Sequence, residues 1–192
     1  ICDINETLNM CPVDLKRKIS KKTKVILPVH MLGVSAEMSK IMQIAKKNKI
    51  KVLEDNCESV GGKFNNKYLG TIADIGVLSF DFSKTITTGE GGAILTNKKE
   101  LDKFCREYHD HGHQNNKKFP RGMDTVKIQG FNYRITEMQA SVGKIQLKKL
   151  NFILNENKRK YKILEDQLKY IVKLRSIPNK SKPIYDTFIF SI

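Results

Sequence analysis

The chain has 192 residues, 40% of them apolar and 29% charged, with a formal net charge of +15. These fractions exclude an intrinsically disordered chain and allow one well-buried core, with room for part of a second domain. No apolar run reaches bilayer-spanning length, no signal peptide opens the sequence, and the four cysteines (Cys2, Cys11, Cys57, Cys105) lack C-x-x-C or metal spacing, so no membrane partner is expected, and a cytoplasmic protein with reduced thiols is.

A charge of +15 raises nucleic-acid binding as a class. The lysines, however, are spread along the chain, and the short runs Lys16-Arg17-Lys18, Lys46-Lys47 and Lys148-Lys149 fall on solvated helical faces. An anionic small molecule suits the same charge, so no nucleic-acid partner is expected.

The chain starts at Ile1 on a short polar segment and stops within the apolar alternation Phe188 to Ile192, which reads as a strand cut midway; truncation at both ends is expected. Lys24 to His30, rich in β-branched residues, predicts a buried strand. Residues 36–48 predict a helix with Met38, Ile41, Met42 and Ala45 on its apolar face, and Ile50 to Asp55 a second strand ending in acids. Such a strand–helix–strand unit builds a parallel α/β sheet. Further strands are predicted at Ile75–Phe80 and Gly92–Thr96, and a helix at Lys98–Tyr108. Gly112 to Gly130 reads as a long loop, and Thr136–Leu150 and Asn155–Val172 as two helices. Pro178 and Pro183 mark a linker before the last strand.

In parallel α/β sheets, ligands gather at the carboxyl ends of the strands. That rule points to His30, Asp55 and the run from Ser79 to Gly92, where a strand end meets hydroxyls (Ser79, Ser83), Lys84 and three closely spaced glycines. Glycines let a ligand approach the backbone and its N–H donors, the hydroxyls suit phosphate oxygens, and the lysine offers a charge or an amine nucleophile.

Asp55-Asn-Cys-Glu58, Ser79-Phe80, Ser83-Lys84, Thr87-Thr-Gly-Glu-Gly-Gly92 and Gly130-Phe-Asn-Tyr-Arg134 resemble, in order and spacing, the motifs of the DegT–DnrJ–StrS family of sugar aminotransferases. The resemblance runs from about Ile1 to Lys173. It implies an α/β fold with a three-layer, mostly parallel sheet: the large domain of the fold type one pyridoxal-phosphate enzymes, as in aspartate aminotransferase. Residues 1–173 are then the cofactor-binding domain without its N-terminal part, and residues 174–192 a linker and the start of a small C-terminal domain. The missing part holds a further phosphate loop and a ring-stacking aromatic in the family, so the segment is not expected to form a working enzyme alone.

By this resemblance the cofactor is pyridoxal 5'-phosphate, held as a Schiff base by Lys84, which also shuttles a proton. Asp55 pairs with the pyridine nitrogen and keeps it protonated. Ser79 binds the phosphate, and Asn132 reaches the phosphate of a partner subunit's cofactor in a homodimer. The implied reaction is ping-pong transfer of an amino group from glutamate to a keto-sugar, nucleotide-linked or free and acidic. Glu58 stands where many relatives have glutamine donating to the cofactor's phenolic oxygen; an ionised glutamate cannot donate and must be protonated or turned elsewhere. A branch with histidine in place of the lysine dehydrates its sugar instead, so Lys84 favours transamination. The fuller loop Asp110-His-Gly-His113 resembles a subgroup acting on free acidic sugars.

Simpler roles remain open on the residues alone. Asp55 can cap a helix, Asn132 and Arg134 can hold a turn, and His30 can be a packed strand-end residue. His109, His111 and His113 alternate as in a metal site, but no carboxylate cluster accompanies them and no metal is expected. A non-catalytic, regulatory relative of the same fold is the alternative to an enzyme.

Overall fold

Pro12 opens the first helix, α1 (Pro12–Lys18), where its missing N–H costs nothing. Asp14 in the first turn and Lys16, Arg17 and Lys18 in the last complement the helix dipole. Asp14 also accepts the Asp3 N–H at 2.8 Å and pairs with Lys18 at 2.9 Å, which fastens the N-terminal segment to the helix. The computed structural model describes residues 1–120 and 122–192.

The first strand, β1, is only Val25–Ile26, and an isolated bridge at Val29 continues it. Pro28 lacks the N–H a continuous ladder needs, which is why the predicted strand to His30 is broken. Helix α2 (Met38–Asn48) follows and is closed by Lys49 in the left-handed region. It buries Met38, Ile41 and Ala45 against Ile26 of β1 and Val52 of the next strand, with Leu15 of α1 completing the cluster. Each of the larger of these side chains contributes roughly 1.5–3 kcal/mol by leaving water.

That next strand, β2 (Lys51–Asp55), pairs in parallel with β1 on one side and β5 (Ile75–Ser79) on the other. Between β2 and β5 a small hairpin forms from β3 (Lys63–Phe64) and β4 (Lys67–Tyr68). Asn65 and Asn66 both have positive φ (49° and 62°), as a tight hairpin turn requires. Strand β6 (Gly92–Leu95) runs antiparallel to β5 and ends the four-stranded sheet β1-β2-β5-β6. The sheet is therefore mostly parallel in a mixed α/β fold, the class the sequence predicts. Val52 and Glu54 face the buried side of β2. Asp55 pairs with Val77, and Val77 with Ile94, so these three share the opposite face, where Ile94 is half exposed.

Helix α3 (Lys99–His109) precedes the long loop. Then α4 (Glu137–Leu168) runs unbroken for 32 residues and replaces the two helices expected. Nothing between Leu150 and Asn155 interrupts it, since Asn151-Phe-Ile-Leu154 contains neither proline nor glycine. Thr136 starts it with a capping box shared with Gln139. The chain then returns: β7 (Lys173–Leu174) pairs with β9 (Phe190–Ser191), and β8 (Ser181–Lys182) joins β3. Ile184 is fully buried beside Gly33 and Gly62.

Candidate active site at the strand ends

Strands β2 and β5 are hydrogen-bonded neighbours and deliver Asp55 and Ser79 to the same edge and the same face of the sheet. Asn56 N–H still donates to Val77 O (3.0 Å), so the chain leaving β2 stays bound to β5. Asp55 Oδ1 accepts the Cys57 N–H at 3.1 Å, an Asx-type turn that sets the carboxylate's direction. Burial pushes the Cys57 thiol up to about 11, helped by its hydrogen bond to Asp55, while the Lys84 ammonium opposes the shift. Lys84 therefore lies within electrostatic reach of the Asp55–Cys57 turn.

Beyond Ser79 the chain forms a closed loop. Phe80 N–H donates to Gly91 O (2.8 Å) and Thr88 N–H to Phe80 O (2.9 Å). Asp81 Oδ1 accepts both the hydroxyl (2.6 Å) and the N–H (3.0 Å) of Ser83, and Lys84 N–H donates to Asp81 O (3.1 Å). These bonds hold the Asp81 carboxyl below the usual range, the Ser83 hydroxyl most of all. Ser83 is thereby spent on the loop itself. Ser79 Oγ accepts the Asp81 N–H at 3.3 Å and keeps its own proton to donate.

The loop is anchored by buried Ile86 and Thr88 and clamped by α4. Glu90 O accepts the Thr88 hydroxyl at 2.6 Å and the Gln139 side-chain amide at 2.9 Å. A Cβ at Gly143 would lie 2.9 Å from Thr88 Cγ2, so this glycine lets the helix approach.

Glu58 is turned away from free solution: its Oε2 accepts the Leu32 N–H at 2.9 Å. Leu32 and Gly33 both have positive φ (50° and 78°) and form a tight turn after β1. Arg175 donates to Leu32 O (3.2 Å) and Thr7 O (2.8 Å), and Ile184 N–H to Gly33 O (3.1 Å), so three distant segments meet there. Asp186 also faces the turn. Its carboxyl is pushed up by burial and, to a lesser degree, by Glu58, against the Thr187 hydrogen bond and the Lys84 charge. Sequence reading missed Arg175 and Asp186, because only tertiary contacts bring them here.

His30 does not line the site. It is fully buried and bonded to Glu54 and to the Ala36 N–H, the packed reading of this residue. Asn132 lies on an exposed segment that pairs with the end of α3: Phe131 N–H donates to Tyr108 O (2.8 Å), and an isolated bridge joins Asn132 to Asp110. Its Oδ1 accepts the Arg134 N–H at 3.4 Å, as the turn reading has it, and Arg134 pairs with Asp110. So the structure gathers Asp55, Glu58, Ser79 and Lys84 at one sheet edge and leaves Asn132 on a separate exposed strip. His113 pairs with Asp124 at 3.0 Å, and no group of three His, Cys, Asp or Glu side chains with metal-site geometry occurs among the described residues.

An amine, a carboxylate and a hydroxyl thus stand at adjacent strand ends of a mostly parallel sheet, followed by a glycine loop clamped on a long helix. The profile of the DegT/DnrJ/EryC1/StrS aminotransferase family matches residues 1–190, and the chain belongs to that family. It is 36% identical over 184 residues to GDP-perosamine synthase of Escherichia coli O157:H7, covering 96% of this chain and 48% of that one. It is 37% identical over 180 residues to 3-oxo-glucose-6-phosphate:glutamate aminotransferase of Bacillus subtilis (strain 168), covering 93% and 38%. Among solved structures it resembles E. coli GDP-4-keto-6-deoxy-D-mannose-3-dehydratase with bound hydrated PLP, at 30% identity and a TM-score of 0.88, covering 98% of this chain and 52% of that one. The chain thus spans about half the length of these relatives or less.

Proposed function

We propose that this chain is part of a pyridoxal-phosphate-dependent sugar aminotransferase that moves an amino group from glutamate to a keto-sugar. The observation that carries the reading is the assembly of Lys84, Asp55 and Ser79 at one sheet edge, within the motifs of the family. The residues present fit the cofactor. Asp55 leaves one carboxylate oxygen beyond its bond to Cys57 N–H, Ser79 retains a hydroxyl proton for a phosphate oxygen, and Lys84 supplies the amine. Bound there, pyridoxal phosphate supplies an aldehyde that takes up amines and a ring that withdraws electrons from the substrate carbon.

Each residue then has a distinct role. The Asp55 carboxylate holds a proton on the pyridine nitrogen. The Ser79 hydroxyl orients the phosphate. The Lys84 amine would hold the cofactor's aldehyde and would serve as the base that moves a proton at the substrate carbon. Glu58, fixed by Leu32 N–H, would meet the phenolic oxygen as an acceptor and not as a donor.

Further parts of the reading rest on family resemblance. Residues 1–173 form the cofactor-binding domain and 174–192 the start of a smaller one. The enzyme is a cytoplasmic homodimer, and Asn132, exposed beside Phe131 and Tyr133, reaches the partner's cofactor phosphate. Glutamate as donor and a keto-sugar as acceptor both accord with the name of the B. subtilis relative, and the name of the E. coli dehydratase also contains a keto-sugar. The non-catalytic alternative is supported less well, since Lys84 and Asp55 are both present and both at the edge.

The test is amino transfer from 15N-glutamate to a 4-keto-6-deoxy sugar nucleotide, read by mass spectrometry. The full-length protein that contains this chain labels the sugar, and Lys84→Ala in it abolishes labelling. Undiminished turnover in that variant would sink the reading.

A further inference from the structure

Behind the ligand-facing edge, His30, Glu54 and Ser59 are completely buried. Glu54 Oε1 accepts the N–H groups of Ile72 and Ala73, both at 2.6 Å. Its Oε2 accepts the Gly70 N–H at 2.9 Å and lies 3.0 Å from His30 Nε2. Because the Ala36 N–H donates to His30 Nδ1 (3.1 Å), the ring proton sits on Nε2 and is donated to Glu54. One carboxylate thus ties the exit of β1 to β2 and to the segment that feeds β5.

Strand alternation puts Glu54 on the opposite face from Asp55, so it acts on the site only through the backbone. That route is short. His30 N–H donates to Asp55 O and Asp55 N–H to Pro28 O, both at 2.9 Å. The Ser59 hydroxyl donates to His30 O at 2.6 Å, and two residues past His30 the Leu32 N–H holds Glu58.

We infer that His30 and Glu54 are positioning residues: their buried pair sets the main chain that brackets Asp55 and, through Ser59, the turn that carries Glu58. The inference rests on the cofactor reading of Asp55 and Glu58 given above. Glutamine cannot replace Glu54, because either orientation of its amide sets an NH2 group against N–H donors. His30 cannot reverse to compensate, since its Nδ1 is occupied by Ala36.

Pyridoxal phosphate is titrated into the full-length protein that contains this chain and into its Ser59→Ala, Glu54→Gln and Asp55→Asn variants. The dissociation constant, the pH at which the visible band changes, and the melting temperature of the cofactor-free protein are recorded. Ser59→Ala removes one hydrogen bond, worth about a fivefold rise in the dissociation constant, and moves the band's titration in the direction Asp55→Asn moves it. Glu54→Gln does both more strongly at a temperature where it is folded. If it does not fold, Ser59→Ala decides alone. Wild-type affinity and band titration in Ser59→Ala, with Asp55→Asn impaired, would overturn the inference and leave the cofactor reading intact. An unaffected Asp55→Asn would overturn the cofactor reading and the inference with it.

Discussion

Glu58 Oε2 accepts the backbone N–H of Leu32 at 2.9 Å, which ties the turn after β2 to the turn after β1. The carboxylate is an acceptor in this arrangement, so its charge faces any phenolate oxygen beside it. A glutamine there can accept from Leu32 through its oxygen and donate through its nitrogen. Glu58→Gln is therefore expected to fold as wild type and to bind pyridoxal phosphate about fivefold more tightly, the worth of one hydrogen bond. Absorbance titration checks this; weaker binding in the variant would mean that the charge of Glu58 is needed.

Glu54 governs stability in acid. Burial pushes its carboxyl up, but the His30 hydrogen bond and the Ala73 and Gly70 N–H groups outweigh that, and the net shift is downward. A carboxyl depressed in the folded state contributes stability that is complete above its unfolded value of about 4 and is lost as pH falls through the folded value. Asp74, also depressed despite its burial, through Lys98 and the Val52 N–H, adds to the same window. The urea midpoint should fall steeply below about pH 4. Glu54→Gln should flatten that fall and cost about 3–5 kcal/mol at neutral pH, as expected for a broken buried pair.

Gly91 closes the Lys84 loop with φ +145°, and a Cβ there would lie 2.8 Å from Thr88 Oγ1. That hydroxyl is committed to Glu90 O and cannot yield without releasing it. Gly91→Ala is expected to destabilise the protein by about 1–3 kcal/mol and to loosen the Lys84 loop. Thermal unfolding and borohydride-trapping rate are the two readouts, and the trapping rate should fall by more than the stability loss alone explains.

Local pattern made the strand–helix–strand unit legible, because Ile26, Met38, Ile41, Ala45 and Val52 follow periods set by their own neighbours. Asp55, Ser79 and Lys84 were legible because strand ends and glycine runs mark ligand edges. The hairpin β3–β4 was not, since two-residue strands carry no alternation, although Asn65-Asn66 signals its turn. Alternation hints that Glu54 points inward, but its four donors come from Gly70, Ile72, Ala73 and His30 and exist only in the folded chain. Arg175 reaching Thr7 across 168 positions, and Asp186 closing on Gly33, are likewise products of tertiary packing.

The most direct test of the account is covalent. The full-length protein that contains this chain is loaded with pyridoxal phosphate, reduced with borohydride, digested and mapped by mass spectrometry. A pyridoxyl adduct on Lys84, with loss of the visible band on reduction, is the expected result. An adduct on another lysine, or none, would contradict the assignment of Lys84 and with it the proposed transamination.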